Sequence, residues 1–141
     1  MPTLDLDQQE LFEASPPNYL FVDDDIPILT LFKNFFSHKA SVVVATDGKD
    51  ALNKIAAQSF DAIISDVDMP LLNGIGLFRS LYAKDPSITK RFLFCTGNPS
   101  SELTDFCSGY GIRCICKPVS LAALQEELLQ LCNELPPIEI K

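Results

Sequence analysis

The 141-residue sequence contains no tryptophan, one histidine and no long apolar run. No stretch approaches the roughly 20 apolar residues that a membrane helix needs. The acidic first 13 residues also lack the basic region and apolar core of a signal peptide. These absences predict a cytoplasmic protein that does not bind membranes. The one histidine, His38, follows an apolar helical pattern and is expected near a helix end rather than as a metal ligand.

Basic residues are few. The chain has 11 lysines and arginines against 19 aspartates and glutamates, which gives a net charge of −8. Nucleic-acid binding needs a basic surface to neutralise phosphates, so the balance argues against direct nucleic-acid binding by this chain. The 47% hydrophobic content and the length are typical of one globular domain with its own core.

The five cysteines are an odd number without the spacing of a disulfide scaffold, and they are interpreted as small buried apolar residues. They are Cys95, Cys107, Cys114, Cys116 and Cys132. Cys114 and Cys116 lie two apart on a predicted strand and share a face, so a metal or redox pair is an alternative. That alternative lacks a CxxC spacing and a nearby histidine.

Short apolar runs alternate with helical patterns five times along the chain. The predicted strands cover 19–22, 41–45, 61–66, 92–96 and 112–116. This alternation predicts an α/β fold, a five-stranded parallel sheet covered by helices on both faces. With right-handed crossovers, the flavodoxin-like doubly wound order 2-1-3-4-5 is favoured. The predicted domain spans 18–133, after a flexible N-terminal extension (1–17) and before a C-terminal tail or linker (134–141).

Polar residues with known capping preferences predict where several helices begin. Asp25 or Asp24 can cap the first helix, and Ser120 the fifth. Asn98 is predicted to cap the fourth helix, with Pro99 as its first residue.

Four predicted strands end on polar side chains. The first is followed by Asp23, Asp24 and Asp25. The third ends on Asp66, with Asp68 just past it. The fourth ends on Thr96, and the fifth leads into Lys117. In the predicted strand order these side chains meet at one edge of the sheet. Several ionised carboxylates repel one another and need a nearby positive charge to lie together. Mg²⁺, which prefers oxygen ligands, can supply that charge.

The remaining residues at this edge of the sheet could bind a phosphoryl group. Asp66 could be a carboxylate nucleophile that takes up the group. Lys117 can contact one phosphoryl oxygen, and the Thr96 hydroxyl can donate to another. Each residue alone also has a plainer interpretation, as a helix cap, a turn residue, a strand-end hydroxyl or a surface lysine. Their coincidence at the ends of four strands favours the functional interpretation.

The motifs resemble those of the receiver domain of bacterial two-component response regulators, of the kind found in chemotaxis regulators. The matching segments are 22–25, 45–52, 60–70 with Gly74, Thr96-Gly97 and Lys117-Pro118. They cover roughly 18–133 in the order and spacing of that family.

The resemblance implies a phosphorelay role without enzymatic turnover beyond self-catalysed phosphorylation and dephosphorylation. Asp66 would accept a phosphoryl group from the phosphohistidine of a sensor histidine kinase or a phosphotransfer protein. Asp23, Asp24 and Asp66 would hold Mg²⁺, with the main-chain carbonyl of Asp68 as a further ligand. Lys117 would pair with the acceptor carboxylate and then with the phosphate.

Further implications concern signal output. Thr96 would move to bind the phosphoryl group and so report phosphorylation to a partner-binding face. The partner would be a downstream target or an output domain outside these 141 residues, and the fourth and fifth helices could also support a homodimer. The Lys117-Pro118 peptide is expected to be cis.

Two positions depart from the family's pattern. The residue three before the lysine is usually Tyr or Phe and here is Cys114, so the aromatic half of the usual switch is missing. Asp68 places another carboxylate two residues after the acceptor, where it could strengthen metal binding, position a hydrolytic water or simply be solvated.

Three alternatives remain from the sequence. A non-phosphorylated receiver-like module is the first. A haloacid-dehalogenase-type phosphohydrolase would use Asp66-Val67-Asp68, but its acidic pair should follow that motif, whereas Asp23-Asp24 precedes it. A flavodoxin-type FMN carrier needs a loop of hydrogen-bond donors after the first strand, and here that strand ends in aspartates.

Overall fold

The computed structural model describes residues 16–133. The strands are β1 (Asn18–Val22), β2 (Ser41–Ala45), β3 (Ala62–Ser65), β4 (Phe92–Thr96) and β5 (Arg113–Cys116). The helices in this part of the chain are α1 (Ile26–Phe36), α2 (Gly48–Ala57), α3 (Gly74–Lys84), α4 (Ser101–Tyr110) and α5 (Leu121–Asn133). A 3₁₀-helix (Pro86–Lys90), which the sequence did not predict, joins α3 to β4.

The strands form one parallel sheet in the order β2-β1-β3-β4-β5, as predicted. β1 and β3 are central, and Val22 of β1 is in register with both Ser65 of β3 and Ala45 of β2. The acceptor candidate, Asp66, therefore follows a strand with a neighbour on each side, which is the most constrained position in the sheet.

Helices cover both faces of the sheet and form two separate cores. The apolar sides of α1 and α5 pack on one face, and those of α2, α3 and α4 pack on the other. Two rings from α3 and two from α4 form the α3–α4 aromatic cluster, which contains Phe78, Tyr82, Phe106 and Tyr110. The ring centroids of Tyr82 and Tyr110 are 4.9 Å apart. These contacts tie the second half of α4 to α3.

The predicted caps are confirmed for two helices. The Asp25 side chain accepts a hydrogen bond from the Ile28 amide at the start of α1, and the Ser120 hydroxyl accepts one from the Ala123 amide at the start of α5. The prediction that Asn98 caps the fourth helix is wrong. Helix α4 begins at Ser101, because the Ser100 hydroxyl accepts from the Leu103 amide and so acts as the cap.

The cysteine prediction is correct for Cys95 and Cys107, which are buried, and Cys132 is partly buried. It is wrong for Cys114 and Cys116, which are exposed. β5 is the edge strand, and along it exposed residues alternate with half-buried ones. The two thiols lie on the more exposed side, so their apolar character did not predict burial.

His38 is exposed and follows α1, as predicted. None of the helices between residues 16 and 133 is long and apolar enough to cross a membrane. Apart from residues 16 and 17, the predicted N-terminal extension (1–17) and C-terminal tail (134–141) lie outside the described residues, and the domain limits stay a prediction.

Candidate functional site

The register of the central strands brings Asp23 and Asp66 together at the carboxyl edge of the sheet. The Asp66 amide donates to the Val22 carbonyl over 2.8 Å, and the Asp23 amide donates to the Ala45 carbonyl over 3.1 Å. Both aspartates thus extend the parallel hydrogen-bond ladder by one residue. Their positions follow from the backbone of the sheet rather than from flexible loops.

Three carboxylates form the acidic cluster of Asp23, Asp24 and Asp66. Each contributes one oxygen, and the three oxygens lie within 4.8 Å of one another. Asp23 is only 3% exposed, and its Oδ1 accepts a hydrogen bond from the Asp25 amide over 3.0 Å. Asp24 is exposed and so completes the cluster on the solvent side.

Lys117 reaches this cluster from the end of β5. Its Nζ lies 2.7 Å from Asp23 Oδ2 and 3.5 Å from Asp66 Oδ2. The Lys117 amide donates to the Thr96 carbonyl over 2.7 Å, and the Lys117-Pro118 peptide is cis, as predicted. The ammonium therefore contacts both carboxylates, and it is closer to Asp23 than to the candidate acceptor.

Burial and neighbouring charges shift the pKa values of Asp66 and Lys117. Burial and the charge of Asp23 raise the pKa of Asp66, although Lys117 and the Val67 amide oppose the rise. Burial lowers the pKa of Lys117, but its hydrogen bond to Asp23 and the charges of both aspartates outweigh burial, so the net shift is upward. The lysine stays charged, and the Asp66 carboxylate lies between the negative charge of Asp23 and the positive charge of Lys117.

The residues fit a hard divalent cation. Three carboxylates converge within reach of one ion, while one ammonium is present to balance them. Mg²⁺ is bound by one or two carboxylates with water and phosphate oxygens, which is the chemistry that this edge offers. The Asp68 side chain is exposed and is not part of the cluster, and its main-chain carbonyl as a ligand stays a prediction.

Thr96 ends β4 and is fully buried. Its Oγ1 accepts a hydrogen bond from the Asn98 amide over 3.0 Å. The hydroxyl thus holds the turn between β4 and α4. The expected movement of Thr96 toward a phosphoryl group stays a prediction.

The connection from β3 to α3 is packed so closely that it excludes any side chain at Gly74. A Cβ there would collide with the Asp66 carbonyl and crowd the Val67 Cα. The Gly74 amide donates to the Val67 carbonyl over 2.8 Å, and the Ser65 hydroxyl donates to the Asp66 carbonyl over 2.7 Å. The sequence matched Gly74 to the family's pattern but did not reveal Ser65 as a support of the Asp66 backbone.

An apolar groove that the sequence did not reveal opens beside Lys117. The α1 groove, as we call it, has a volume of about 460 Å³ and is lined by Ile28, Leu31, Phe32, Gly97, Lys117, Pro118 and Val119. Leu31 is 51% exposed. The signal in the sequence was Leu31, an apolar residue on the side of α1 that faces solvent. Without the structure, Leu31 would be taken for a core residue.

Comparison with known proteins adds independent findings. A family model described as response regulator receiver domain matches residues 19–129. Sensor protein EvgS of Escherichia coli K12 is 33% identical over 87 residues, 62% of this chain and 7% of that protein. Sensor histidine kinase RcsC of Salmonella typhi is 28% identical over 139 residues, 89% of this chain and 14% of that protein. The chain thus spans a small part of these curated relatives.

Solved structures agree with the family model. Chemotaxis protein CheY4 of Vibrio cholerae has a TM-score of 0.75 and 27% identity, with 83% of this chain and 99% of that one covered. The Francisella response regulator 1452 receiver domain has a TM-score of 0.74 and 29% identity, with 83% and 97% covered. The family match, which takes in all four polar strand ends, favours a receiver over the phosphohydrolase and flavin-carrier alternatives. The chain belongs to the response regulator receiver domain family of two-component signalling.

Proposed function

We propose that this domain accepts a phosphoryl group on Asp66 in a Mg²⁺-dependent reaction and passes the signal to a partner protein. The observation that carries the proposal is the acidic cluster, whose oxygens lie within 4.8 Å of one another beside the Lys117 ammonium. The donor is the phosphohistidine of a sensor histidine kinase or a phosphotransfer protein, as in two-component signalling.

The transfer begins with an Asp66 carboxylate oxygen attacking the phosphorus atom. The bond between phosphorus and the donor's imidazole nitrogen breaks, and the imidazole keeps the electron pair. The Val67 amide donates to Asp66 Oδ1 over 2.8 Å, so this oxygen is held while Oδ2 faces Lys117. We assign the attack to Oδ2, because it is the oxygen that shares the side of the site with the ammonium.

Asp23, Asp24 and Asp66 would hold Mg²⁺, with the Asp68 carbonyl as a further ligand. When bound, the ion supplies positive charge that offsets the charge on the transferring phosphoryl oxygens. Lys117 supplies the second positive charge and exchanges its contact with Asp23 for a phosphoryl oxygen. The residues of this chain thus act by position and charge, and the reaction needs no turnover of an external substrate.

Thr96 would carry the signal outward. On phosphorylation its hydroxyl leaves the Asn98 amide and donates to a phosphoryl oxygen. The turn between β4 and α4 loses a hydrogen bond that is present now, so α4 can change its position. The face built from α4, β5 and α5 is where a downstream target, an output domain or a second copy of the chain would respond.

The α1 groove is the proposed contact for the phosphoryl donor. It is apolar, about 460 Å³ in volume and adjacent to Lys117, so a helix of the donor seated there would bring its histidine to the acidic cluster. We also propose that residues 18–133 form the complete receiver and that it works in the cytoplasm. The curated relatives are much longer, so further domains of the same protein are one source of output.

Intact-protein mass tests the chemistry. After incubation with Mg²⁺ and acetyl phosphate, the wild-type chain should gain one phosphoryl group, and Asp66→Ala should gain none. Asp61→Asn is the matched control, because Asp61 precedes β3 at the opposite edge of the sheet, and it should be phosphorylated normally. The decay of the adduct in Asp68→Ala then tests whether that carboxylate affects hydrolysis.

A gain of mass in Asp66→Ala would contradict the assignment of the acceptor. If the wild type gains no phosphoryl group from acetyl phosphate or from a phosphorylated histidine donor, and binds no beryllofluoride, the non-phosphorylated module becomes the better interpretation.

A further inference from the structure

A second groove lies between α4 and β5, away from the acidic cluster. It has a volume of about 320 Å³, and three cysteines contribute to its lining. Cys107 comes from the second half of α4, and Cys114 and Cys116 come from the edge strand. Cys107 is 5% exposed, whereas the other two are open to solvent. One buried thiol and two accessible thiols therefore share one cavity.

Cys107 and Cys114 both line this groove, and their thiols lie close enough for each to shift the pKa of the other. Burial raises the pKa of Cys107 to about 12, and burial also raises the pKa of Cys114. Both groups are therefore neutral thiols at neutral pH. A neutral thiol is a weak nucleophile, so this pair reacts slowly and only when an oxidant is supplied.

A soft-metal site fits these thiols less well. Between residues 16 and 133, the acidic cluster is the group of three or more metal-binding side chains whose ligand atoms converge, and the thiols form no such group. A structural zinc site requires four converging ligands. Two thiols that line one groove from adjoining elements favour chemistry between them instead.

We propose that Cys107 and Cys114 are a redox-sensitive pair, which an oxidised low-molecular-weight disulfide such as glutathione disulfide converts into an internal disulfide that fastens α4 to β5. The proposal does not depend on phosphorylation of Asp66 and goes beyond it. Cytosolic disulfides of this kind are usually transient and regulatory.

The reaction takes place by two exchanges. The Cys114 sulfur, which is the accessible one, loses its proton to solvent and attacks the disulfide of the oxidant, whose sulfur–sulfur bond breaks and releases one small thiol. Cys107 then loses its proton and attacks the Cys114 sulfur, which releases the second small thiol. The protein loses two protons and two electrons, which together are two hydrogen atoms, and one small disulfide becomes two thiols.

The backbone already holds the two cysteines close to each other. The Ile112 amide donates to the Cys107 carbonyl over 2.9 Å, and Gly111 adopts a left-handed conformation (φ 73°) that turns the chain from α4 into β5. Closing the bond brings the two sulfurs to about 2.05 Å from each other.

Oxidation of the wild-type chain with glutathione disulfide tests the proposal. We expect an intact mass two hydrogen atoms lower than that of the reduced chain, a digest in which the Cys107 and Cys114 peptides are joined, and reversal by dithiothreitol. Cys116→Ser should behave like the wild type, because Cys116 is not the partner. Cys114→Ser should form no internal bridge.

Three results would overturn the proposal. They are a glutathione adduct that never resolves to an internal bridge, a bridge that includes Cys116, and no reaction after prolonged oxidation. Amide hydrogen exchange tests whether the disulfide restrains α4. If it does, α4 amides should exchange severalfold more slowly in the oxidised form. Equal exchange in both forms would show that the bridge does not hold the helix.

Discussion

The connection from β3 to α3 and the end of α4 differ in the space that they leave around a glycine. At Gly74 a Cβ would collide with the backbone of Asp66, whereas at Gly109 no atom lies within 4 Å of the corresponding position. The first region holds the proposed acceptor, and the second borders the groove that contains Cys114.

This difference separates the region of the proposed phosphoryl chemistry from the region of the proposed output. Around Asp66, the sheet register, close packing and ion pairs each fix the same geometry, and the sequence follows the family's pattern there except at the exposed Asp68. Beside α4 the structure is open, and there the sequence departs from that pattern at Cys114. The closely packed region has little tolerance for change, whereas the open one can accept new side chains and new regulation.

The largest effect is expected for Gly74→Ala. The added methyl group has no room, so the acceptor loop must shift, and we expect a loss of stability on the order of 3 kcal/mol. Gly109→Ala is the matched control, because its Cβ meets no atom and alanine favours helix, so stability should stay the same or rise by up to about 1 kcal/mol. Urea unfolding measures both. Equal losses would remove the contrast between the two regions.

The second effect concerns Mg²⁺. At a hundred times its dissociation constant, an ion that binds only the folded chain raises the free energy of unfolding by about 2.7 kcal/mol. Asp23→Asn should lose most of this gain, because it removes the most buried carboxylate of the cluster.

Asp25→Asn, in the same loop, should keep the gain, since asparagine caps α1 about as well as aspartate. Unfolding with Mg²⁺ and with a chelator gives the comparison. A full gain in Asp23→Asn would show that the ion binds elsewhere.

A smaller effect should appear in the pH dependence of Asp66→Asn without Mg²⁺. The folded pKa of Asp66 is raised, so the folded chain binds more protons than the unfolded chain between the two pKa values. Stability due to this group is therefore greatest at low pH, falls as pH rises through that window and stays lower above it. Asparagine removes the charge, so the variant should be more stable than the wild type at pH 7, and the difference should shrink as pH falls.

Urea titrations from pH 7 down through the acidic range would measure that difference. A variant that is less stable than the wild type at pH 7 would show that the contact of Asp66 with Lys117 outweighs burial and repulsion by Asp23.

The smallest effect is expected for Cys114→Tyr. The side chain at this position is exposed and faces the groove, so stability should change by less than about 0.5 kcal/mol, and phosphoryl uptake should be unchanged. Cys95→Tyr, on buried β4, should instead cost on the order of 3 kcal/mol through overpacking. Thermal unfolding and the acetyl phosphate assay measure the two variants. A large loss in Cys114→Tyr would show that the groove is less open than its lining indicates.

The strand order and the meeting of polar strand ends could be predicted from sequence because each is set by local patterns. Five apolar runs with short helical connections leave few topologies, and in the predicted one the ends of β1 and β3 are neighbours. Asp23 and Asp66 follow directly from that arrangement.

The details that the sequence missed depend on contacts between distant or competing groups. Asn98 and Ser100 are both good caps, and residue type alone does not tell that the chain turns into α4 only after Ser100. Whether Lys117 lies nearer Asp23 or Asp66 depends on side-chain geometry across two strands. Exposure of Cys114 depends on β5 being at the sheet edge and on the cavity beside α4, which no local pattern encodes.

The α3–α4 aromatic cluster determines how α4 can move when its amino end is displaced. Both aromatic residues of α4, Phe106 and Tyr110, lie in its second half and contact α3. A helix whose carboxyl half is packed against a neighbour tilts about that half when its amino end is displaced. A change that starts at Thr96 and Asn98 therefore reaches α4 as a tilt, with the ring cluster as the pivot, and its amplitude is largest at the amino end of the helix and smallest at Tyr110.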